Sequence, residues 1–237
     1  IAESVVTLQL GYYRTISHMN ISVDTYLVTQ KSHSRDRSTP EIVSEAIEGG
    51  IDVVQLREKH ETIRSRYTIG KEIRALTEEA GIPFIINDRV DLAAALNADG
   101  VHLGDDDLPV KAARDVLGNS AIIGRSVSTV SAATEAVDAG ADYLGVGAVY
   151  QTSSKDVDDA EAEIGKSKLT EIAESVEVPI VAIGGITPDR AHSVIEAGAD
   201  GVAVISAITK ADDPRAATVQ LNKAVVSSST SPEEVHS

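Results

Sequence analysis

In the stretch Val53–His60, VVQLREKH, an apolar run carries Gln55 and then ends abruptly in Arg57, Glu58 and Lys59. Two cations at the tip of a buried-looking run are unusual in a chain whose formal charge is −16. They offer charge-assisted hydrogen bonds to an anion. Lys155, on a long polar loop, can supply a third cation. Asp88 and Asp107 are hard oxygen donors of the kind that suits Mg²⁺, which takes one or two carboxylates and completes its shell with water and substrate phosphate. Cations and carboxylates that converge without cancelling are what a metal–diphosphate requires. A second anion site is indicated further on: AIGGITP, residues 182–188, sets two glycines before a helix start, and VISA, residues 204–207, ends an apolar run. Backbone N–H groups and the positive end of a helix hold phosphate at such turns.

Each of these features also has a purely structural reading. Arg57 and Lys59 fit as partners of Glu58, Glu61 or other surface acids. Asp107 fits as a cap for a helix beginning at Leu108–Pro109, and Asp88 as a cap for the helix after it. The two glycines fit as a tight turn. His102 lies inside an apolar run and reads as a packed histidine rather than a base. What favours chemistry is joint occurrence, because independent caps do not call for Arg and Lys opposite them.

The elements that must position these residues follow from the hydrophobic pattern. Eight short β-branched runs, Thr25–Thr29, Ile51–Leu56, Pro83–Ile86, Gly100–Leu103, Ala121–Ile123, Tyr143–Val146, Ile180–Ile183 and Val202–Ile205, alternate with amphipathic helical patterns. The first helix is predicted over Pro40–Glu48 with Thr39 as its cap. The others are predicted near 61–80, 89–97, 108–117, 129–139, 166–176, 188–197 and 212–225. Runs apolar on both faces suit parallel strands covered by helices. Eight such units in one domain predict an α/β fold, a closed (β/α)₈ TIM barrel. A weak internal repeat, EGGIDVVQL, LNADGVHLG, DAGADYLGVG and EAGADGVAVI, places Asp52, Asp99, Asp142 and Asp200 just before strands. These aspartates are expected to serve loop structure at the bottom of the barrel. Residues that follow the runs, by contrast, all face one mouth, where barrel enzymes place their active sites.

Composition narrows the classes. The acidic surplus argues against a nucleic-acid partner, which needs a basic face. No run of about 18 apolar residues exists, so no membrane span is predicted. With no cysteine, disulfides and thiolate metal sites are excluded, which fits a cytoplasmic enzyme. The charge suits a strongly solvated surface at high salt, where screening makes like-charge repulsion tolerable, though an ordinary acidic cytosolic enzyme shares it. Residues 1–22 read as an N-terminal extension, 23–225 as one catalytic domain and 226–237, VSSSTSPEEVHS, as a polar tail. Residues 1–18 do not read as a signal peptide, and Met19 is the expected natural start. A homo-oligomer is compatible with the sequence.

At these residues the chain resembles the thiamine-phosphate synthase family over nearly all of 24–210. VVQLREK, IINDRVDLA, ADGVHLG followed by Asp107, GRSVST, LGVGAVYQTSSK, VAIGGI and GVAVISAI resemble the family's signatures in order. The resemblance implies that a pyrimidine carrying a diphosphate is joined to a thiazole ethyl phosphate, two small-molecule substrates, with Mg²⁺. It assigns the pyrimidine diphosphate to Gln55, Leu56, Arg57, Glu58, Lys59, Asn87, Ser126 and Lys155, and Mg²⁺ to Asp88 and Asp107. The thiazole phosphate falls to Thr152, Ser153, Ser154, Gly185, Ile205 and Ser206. Arg57, Lys59 and Lys155 are the expected catalytic cations. A thiazole tautomerase-like barrel and a non-catalytic phosphate-binding barrel are the alternatives. The chain departs from the family at Asp105, where Gln is usual, at Ala148 and Gln151, where prolines are familiar, and at Ser154, which replaces Thr. Residues 156–164 are unusually acidic.

Overall fold

The structure is a computed structural model, and it describes residues 22–34, 36–152 and 163–226. Eight parallel strands close into a barrel in sequence order: β1 (Thr25–Val28), β2 (Val53–Leu56), β3 (Phe84–Asn87), β4 (Gly100–Leu103), β5 (Ile122–Val127), β6 (Tyr143–Val146), β7 (Ile180–Ile183) and β8 (Gly201–Val204). The last strand closes on the first through Thr25↔Val202 and Leu27↔Val204. Nine described helices surround them: α1 (Thr39–Glu48), α2 (Ile63–Ala80), α3 (Val90–Leu96), α4 (Val110–Leu117), α5 (Val130–Asp138), α6 (Gly165–Ser175), α7 (Pro188–Ile195), α8 (Ser206–Thr209) and α9 (Pro214–Val226). Among the described residues no helix is long and apolar enough to cross a membrane.

Strand alternation sorts the core into two layers. Tyr26, Val28, Val53, Ile85, Ile122, Tyr143, Val181 and Ala203 fill the barrel interior. Leu27, Val54, Leu56, Ile86, Val101, Leu103, Ile123, Leu144 and Val204 pack outward against the helices. The parity matters for function. Continued in steps of two toward the mouth, the inward faces of the strands arrive at Gln55 and Arg57, Asn87, His102, Ser126 and Ile205.

The expected base aspartates are structural. Asp52 accepts the N–H of Thr25 at 2.9 Å, Asp99 that of Phe84 at 2.8 Å, Asp142 that of Ile123 at 2.7 Å and Asp200 that of Ile180 at 2.8 Å. Each residue precedes an even-numbered strand and ties down an N–H at the start of the odd-numbered strand before it, in the first residue or, for β5, the second. Arg74 reinforces Asp99 at 2.6 Å and Arg114 reinforces Asp142 at 2.7 Å.

Several boundaries differ from expectation. Helix α1 is capped by Ser38 rather than Thr39, because Ser38 Oγ accepts from the Glu41 N–H while the Glu41 carboxylate accepts from the Ser38 N–H, a capping box. Thr39 instead spends its hydroxyl on Glu58 at 2.8 Å. Helix α4 starts at Val110, with Pro109 in the cap position, not at Leu108. Strand β5 runs to Val127, so Ser126 sits inside the strand rather than after it. A short extra helix, α8, precedes the last one.

Candidate active site

The inward series meets in a narrow cavity of about 70 Å³ lined by Gln55, Arg57, Asn87, Ser126, Ile205 and the rings of Tyr26, His102 and Tyr143. Arg57 is buried and donates through Nη1 to the Gln30 amide oxygen at 3.1 Å, and its own N–H is received by Thr29 Oγ1 at 3.2 Å. Asn87 is also buried, and its Nδ2 has no hydrogen-bond partner among the described residues. A buried amide donor without an acceptor costs free energy unless something else supplies one. Asn87 lines the cavity wall, where a ligand group could supply that acceptor.

Beside this cavity three charges gather. Lys59 Nζ lies 3.2 Å from Asp88 Oδ2. Asp107 lies against Asp88, and burial first, then this neighbouring carboxylate, push the Asp107 carboxyl above its usual range. The Gly104 N–H, donating to Asp107 Oδ2 at 2.6 Å, and Lys59 pull it the other way. Asp107 therefore braces its own turn at Gly104; it does not cap α4. Asp88 does not cap α3 either, since that helix has Arg89 in its cap position and no side-chain cap bond. Asp88 occupies a left-handed backbone conformation, φ 64°, which Asp tolerates through local hydrogen bonding. Two carboxylates meeting from the ends of neighbouring strands are a fit for a hard dication. Among the described residues no cluster of three His, Cys, Asp or Glu completes an all-protein metal shell, so two carboxylates plus water and phosphate is the donor set available. The expectation that cations and carboxylates meet without cancelling is corrected in one respect: Lys59 is paired with Asp88.

A wider cavity, about 420 Å³, adjoins the first and is lined by Thr152, Gly184, Gly185, Ser206, Arg190 and Lys210. Ile183, Ala203 and Ile205 belong to the walls of both. The glycines are required here. Gly184 and Gly185 have φ 104° and 62°, and a Cβ on Gly185 would stand 2.7 Å from the Gln151 carbonyl oxygen. The turn brings backbone to the cavity surface where a side chain cannot go.

Two expected ligand residues are placed differently. Leu56 faces the helices, its side chain against Gly70, so only its backbone is available to a ligand. The Glu58 carboxylate is buried and takes the Lys31 N–H at 2.7 Å and the Thr39 hydroxyl at 2.8 Å. It ties the β1 and β2 loops together. Ser153, Ser154 and Lys155 lie outside the described residues. Asp105, the departure noted above, is ion-paired to Arg125 at 2.6 Å.

Other contributors were not singled out in the sequence. Arg190, from α7, donates to the Gly185 carbonyl oxygen at 2.7 Å and stacks 4.7 Å from the Tyr150 ring centre. Arg66, from α2, donates to the Lys59 carbonyl oxygen at 2.8 Å and so holds that turn. His102 is packed, as expected, but in the cavity wall and hydrogen-bonded through both ring nitrogens. The available signal for His102 and Tyr143 was their place inside apolar strand runs, as polar-tipped rings among aliphatic neighbours.

Known proteins resemble this chain in sequence and in fold. A family model described as thiamine monophosphate synthase matches residues 25–208. The thiamine-phosphate synthase of Haloquadratum walsbyi is 64% identical over 207 residues, 87% of this chain and 93% of its own length. That of Clostridium novyi is 46% identical over 203 residues, 86% of this chain and 98% of the relative. In structure, the thiamine phosphate pyrophosphorylase from Pyrococcus furiosus superposes with a TM-score of 0.80 at 43% identity, covering 87% of this chain and 96% of that one.

Proposed function

On the premise that the chain belongs to the thiamine monophosphate synthase family and is a transferase with that family's activity, we propose how its two cavities divide the reaction. The reaction joins 4-amino-2-methyl-5-(diphosphooxymethyl)pyrimidine to a thiazole ethyl phosphate and yields thiamine phosphate and diphosphate. The narrow cavity takes the pyrimidine, and the diphosphate lies at Arg57, Lys59 and the two mouth carboxylates. The wider cavity takes the thiazole phosphate at Thr152, Gly185 and Ser206. Ser153, Ser154 and Lys155 join the site on the resemblance of their loop.

The residues act mainly on charge. The methylene C–O bond breaks and its electrons leave with diphosphate. The electron-rich aminopyrimidine stabilises the methylene cation, and the thiazole nitrogen lone pair forms the new C–N bond. Arg57 and Lys59 present donors where negative charge grows on the leaving group, and Lys155 joins them on the resemblance of its loop. The Asn87 amide is the donor that awaits an oxygen of that group. Asp88 and Asp107 are suited to Mg²⁺, which when bound supplies positive charge to the departing diphosphate. No strong protein base is required.

The observation that carries this reading is the meeting of Asp88 and Asp107 beside Lys59, next to a cavity holding buried Arg57 and an unsatisfied Asn87 amide. Incubating the protein with both substrates and Mg²⁺ is expected to give thiamine phosphate and diphosphate in equal amounts. Absence of Mg²⁺-dependent diphosphate release would overturn the division. The cytoplasm is the compartment proposed.

A further inference from the structure

Across the barrel interior runs a continuous chain of side-chain hydrogen bonds. Gln55 Nε2 on β2 donates to Tyr26 Oη on β1 at 2.8 Å. Tyr26 Oη meets Tyr143 Oη of β6 at 2.9 Å. Tyr143 Oη meets His102 Nδ1 on β4 at 2.9 Å, and His102 Nε2 meets Ser126 Oγ on β5 at 2.9 Å. Room has been made for it. A Cβ on Gly124 would stand 2.2 Å from Tyr143 Cζ, and one on Gly145 would stand 2.8 Å from His102 Cε1. Both tyrosines are buried, and burial raises their hydroxyls above the ordinary phenol range, so each carries one proton.

That proton count sets a direction. Tyr26 receives an N–H from Gln55, so its own O–H goes to Tyr143. Tyr143 must then donate to His102 Nδ1, which leaves the imidazole proton on Nε2, facing Ser126 Oγ. Ser126 keeps its own O–H for the cavity. At the far end, with Nε2 turned toward Tyr26, the Gln55 carbonyl oxygen is the atom left for a ligand. Turning the Gln55 amide over would reverse every link and present the opposite groups at both ends.

We infer that Tyr26, Tyr143 and His102 are positioning residues that lock the polarity of the pyrimidine-binding cavity, so that Gln55 presents an acceptor and Ser126 a donor. This rests on the reading of that cavity as the pyrimidine site. It explains selection of an aminopyrimidine. A 4-amino group needs an acceptor, and a 4-oxo ring offers the reverse pattern. An unpinned Gln could rotate to accept either. A Gln held by Tyr26 can turn only if every link of the chain reverses with it.

Two measurements test the inference. Long-range ¹H–¹⁵N correlation on histidine-labelled, ligand-free protein, assigned with His102→Gln, is expected to show His102 as the neutral Nε2–H tautomer. The preference should weaken in Tyr143→Phe. A wild-type His102 in the Nδ1–H form overturns the proposal, and needs no variant to fold. Calorimetry with 4-amino and 4-oxo pyrimidine diphosphates is expected to show wild-type preference for the amino compound. In Tyr26→Phe that preference should fall about tenfold to a hundredfold, the scale of one mismatched buried hydrogen bond. Thiazole phosphate binding should stay unchanged. Undiminished discrimination in folded Tyr26→Phe also overturns the proposal. If wild type binds neither pyrimidine, the functional reading fails separately, and the relay is judged on the tautomer alone.

Discussion

At the base of the barrel, Asp52, Asp99, Asp142 and Asp200 each accept an N–H at the start of a strand; at the mouth, Asp88 and Asp107 face each other. The base carboxylates have their partners inside the protein, and Arg74 and Arg114 neutralise two of them. At the mouth, burial and the neighbouring Asp88 make ionisation of Asp107 more costly, and Lys59 lies within ion-pair distance of Asp88. The same residue type is thus spent on the fold at one end and, in the proposed reaction, offered to a ligand at the other. Groups satisfied in the folded protein should matter for stability, and groups that await a ligand should matter for turnover.

Breaking the mouth should give the largest effect. Asp88→Asn or Asp107→Asn should lower turnover at limiting Mg²⁺ by about a hundredfold or more, the usual scale for losing one charge-stabilising contact. The melting temperature should hold or rise, because like-charge repulsion is relieved. Asn also tolerates the left-handed backbone at position 88. Near-wild-type turnover in steady-state assays would remove the carboxylate pair from the mechanism.

The next effect sharpens the contrast between the two cavities. Arg57→Ala, Lys59→Ala and Lys155→Ala should each cost about 2–4 kcal/mol in kcat/KM for the pyrimidine diphosphate. Thiazole phosphate should bind as before by calorimetry. If Arg57→Ala instead weakens the thiazole phosphate alone, the half-sites are assigned the wrong way round.

At the base, Asp142→Ala strands the Ile123 N–H and removes the ion pair with Arg114, which keeps its carbonyl acceptors. Chemical denaturation should show a loss of about 1–3 kcal/mol with kcat/KM intact. A fall in kcat/KM without a stability change would contradict the division of labour. The smallest effect is expected from Ser206→Ala, within about 0.5 kcal/mol in thiazole phosphate binding, because the contact proposed there is made by backbone N–H. A larger loss would assign the hydroxyl a direct role.

Much of this was legible in the sequence because strand parity is simple. Apolar runs with period-two continuation bring Gln55, Arg57, Asn87 and Ser126 to one cavity, and the repeated Asp before a strand marks the base. Other features depend on distances that no local pattern encodes. Whether Asp107 braces Gly104 or caps α4 turns on where the helix begins, three residues on at Val110. Glu58 lies between two cations, yet its carboxylate turns back to the β1 loop. Arg190 and Arg66 come from helices rather than strand ends, so a listing of residues after each strand misses them. The Gln55-to-Ser126 relay joins five strands and exists only once the barrel closes. The adjacent choice of Ser38 or Thr39 as cap is settled by the partner each hydroxyl finds.

The wall shared by the two cavities, Ile183, Ala203 and Ile205, bears on fidelity. A methylene cation reacts with water as readily as with a thiazole, and hydrolysis wastes the activated pyrimidine without making product. Aliphatic side chains at the junction give water no hydrogen bond by which to lodge beside the reacting carbon. On the proposed division of the cavities, coupling between bond breaking and bond making would rest on these three hydrocarbon groups. Ala203→Ser should uncouple it, seen as diphosphate released in excess of thiamine phosphate. A ratio that stays at one would show that the thiazole itself keeps water out.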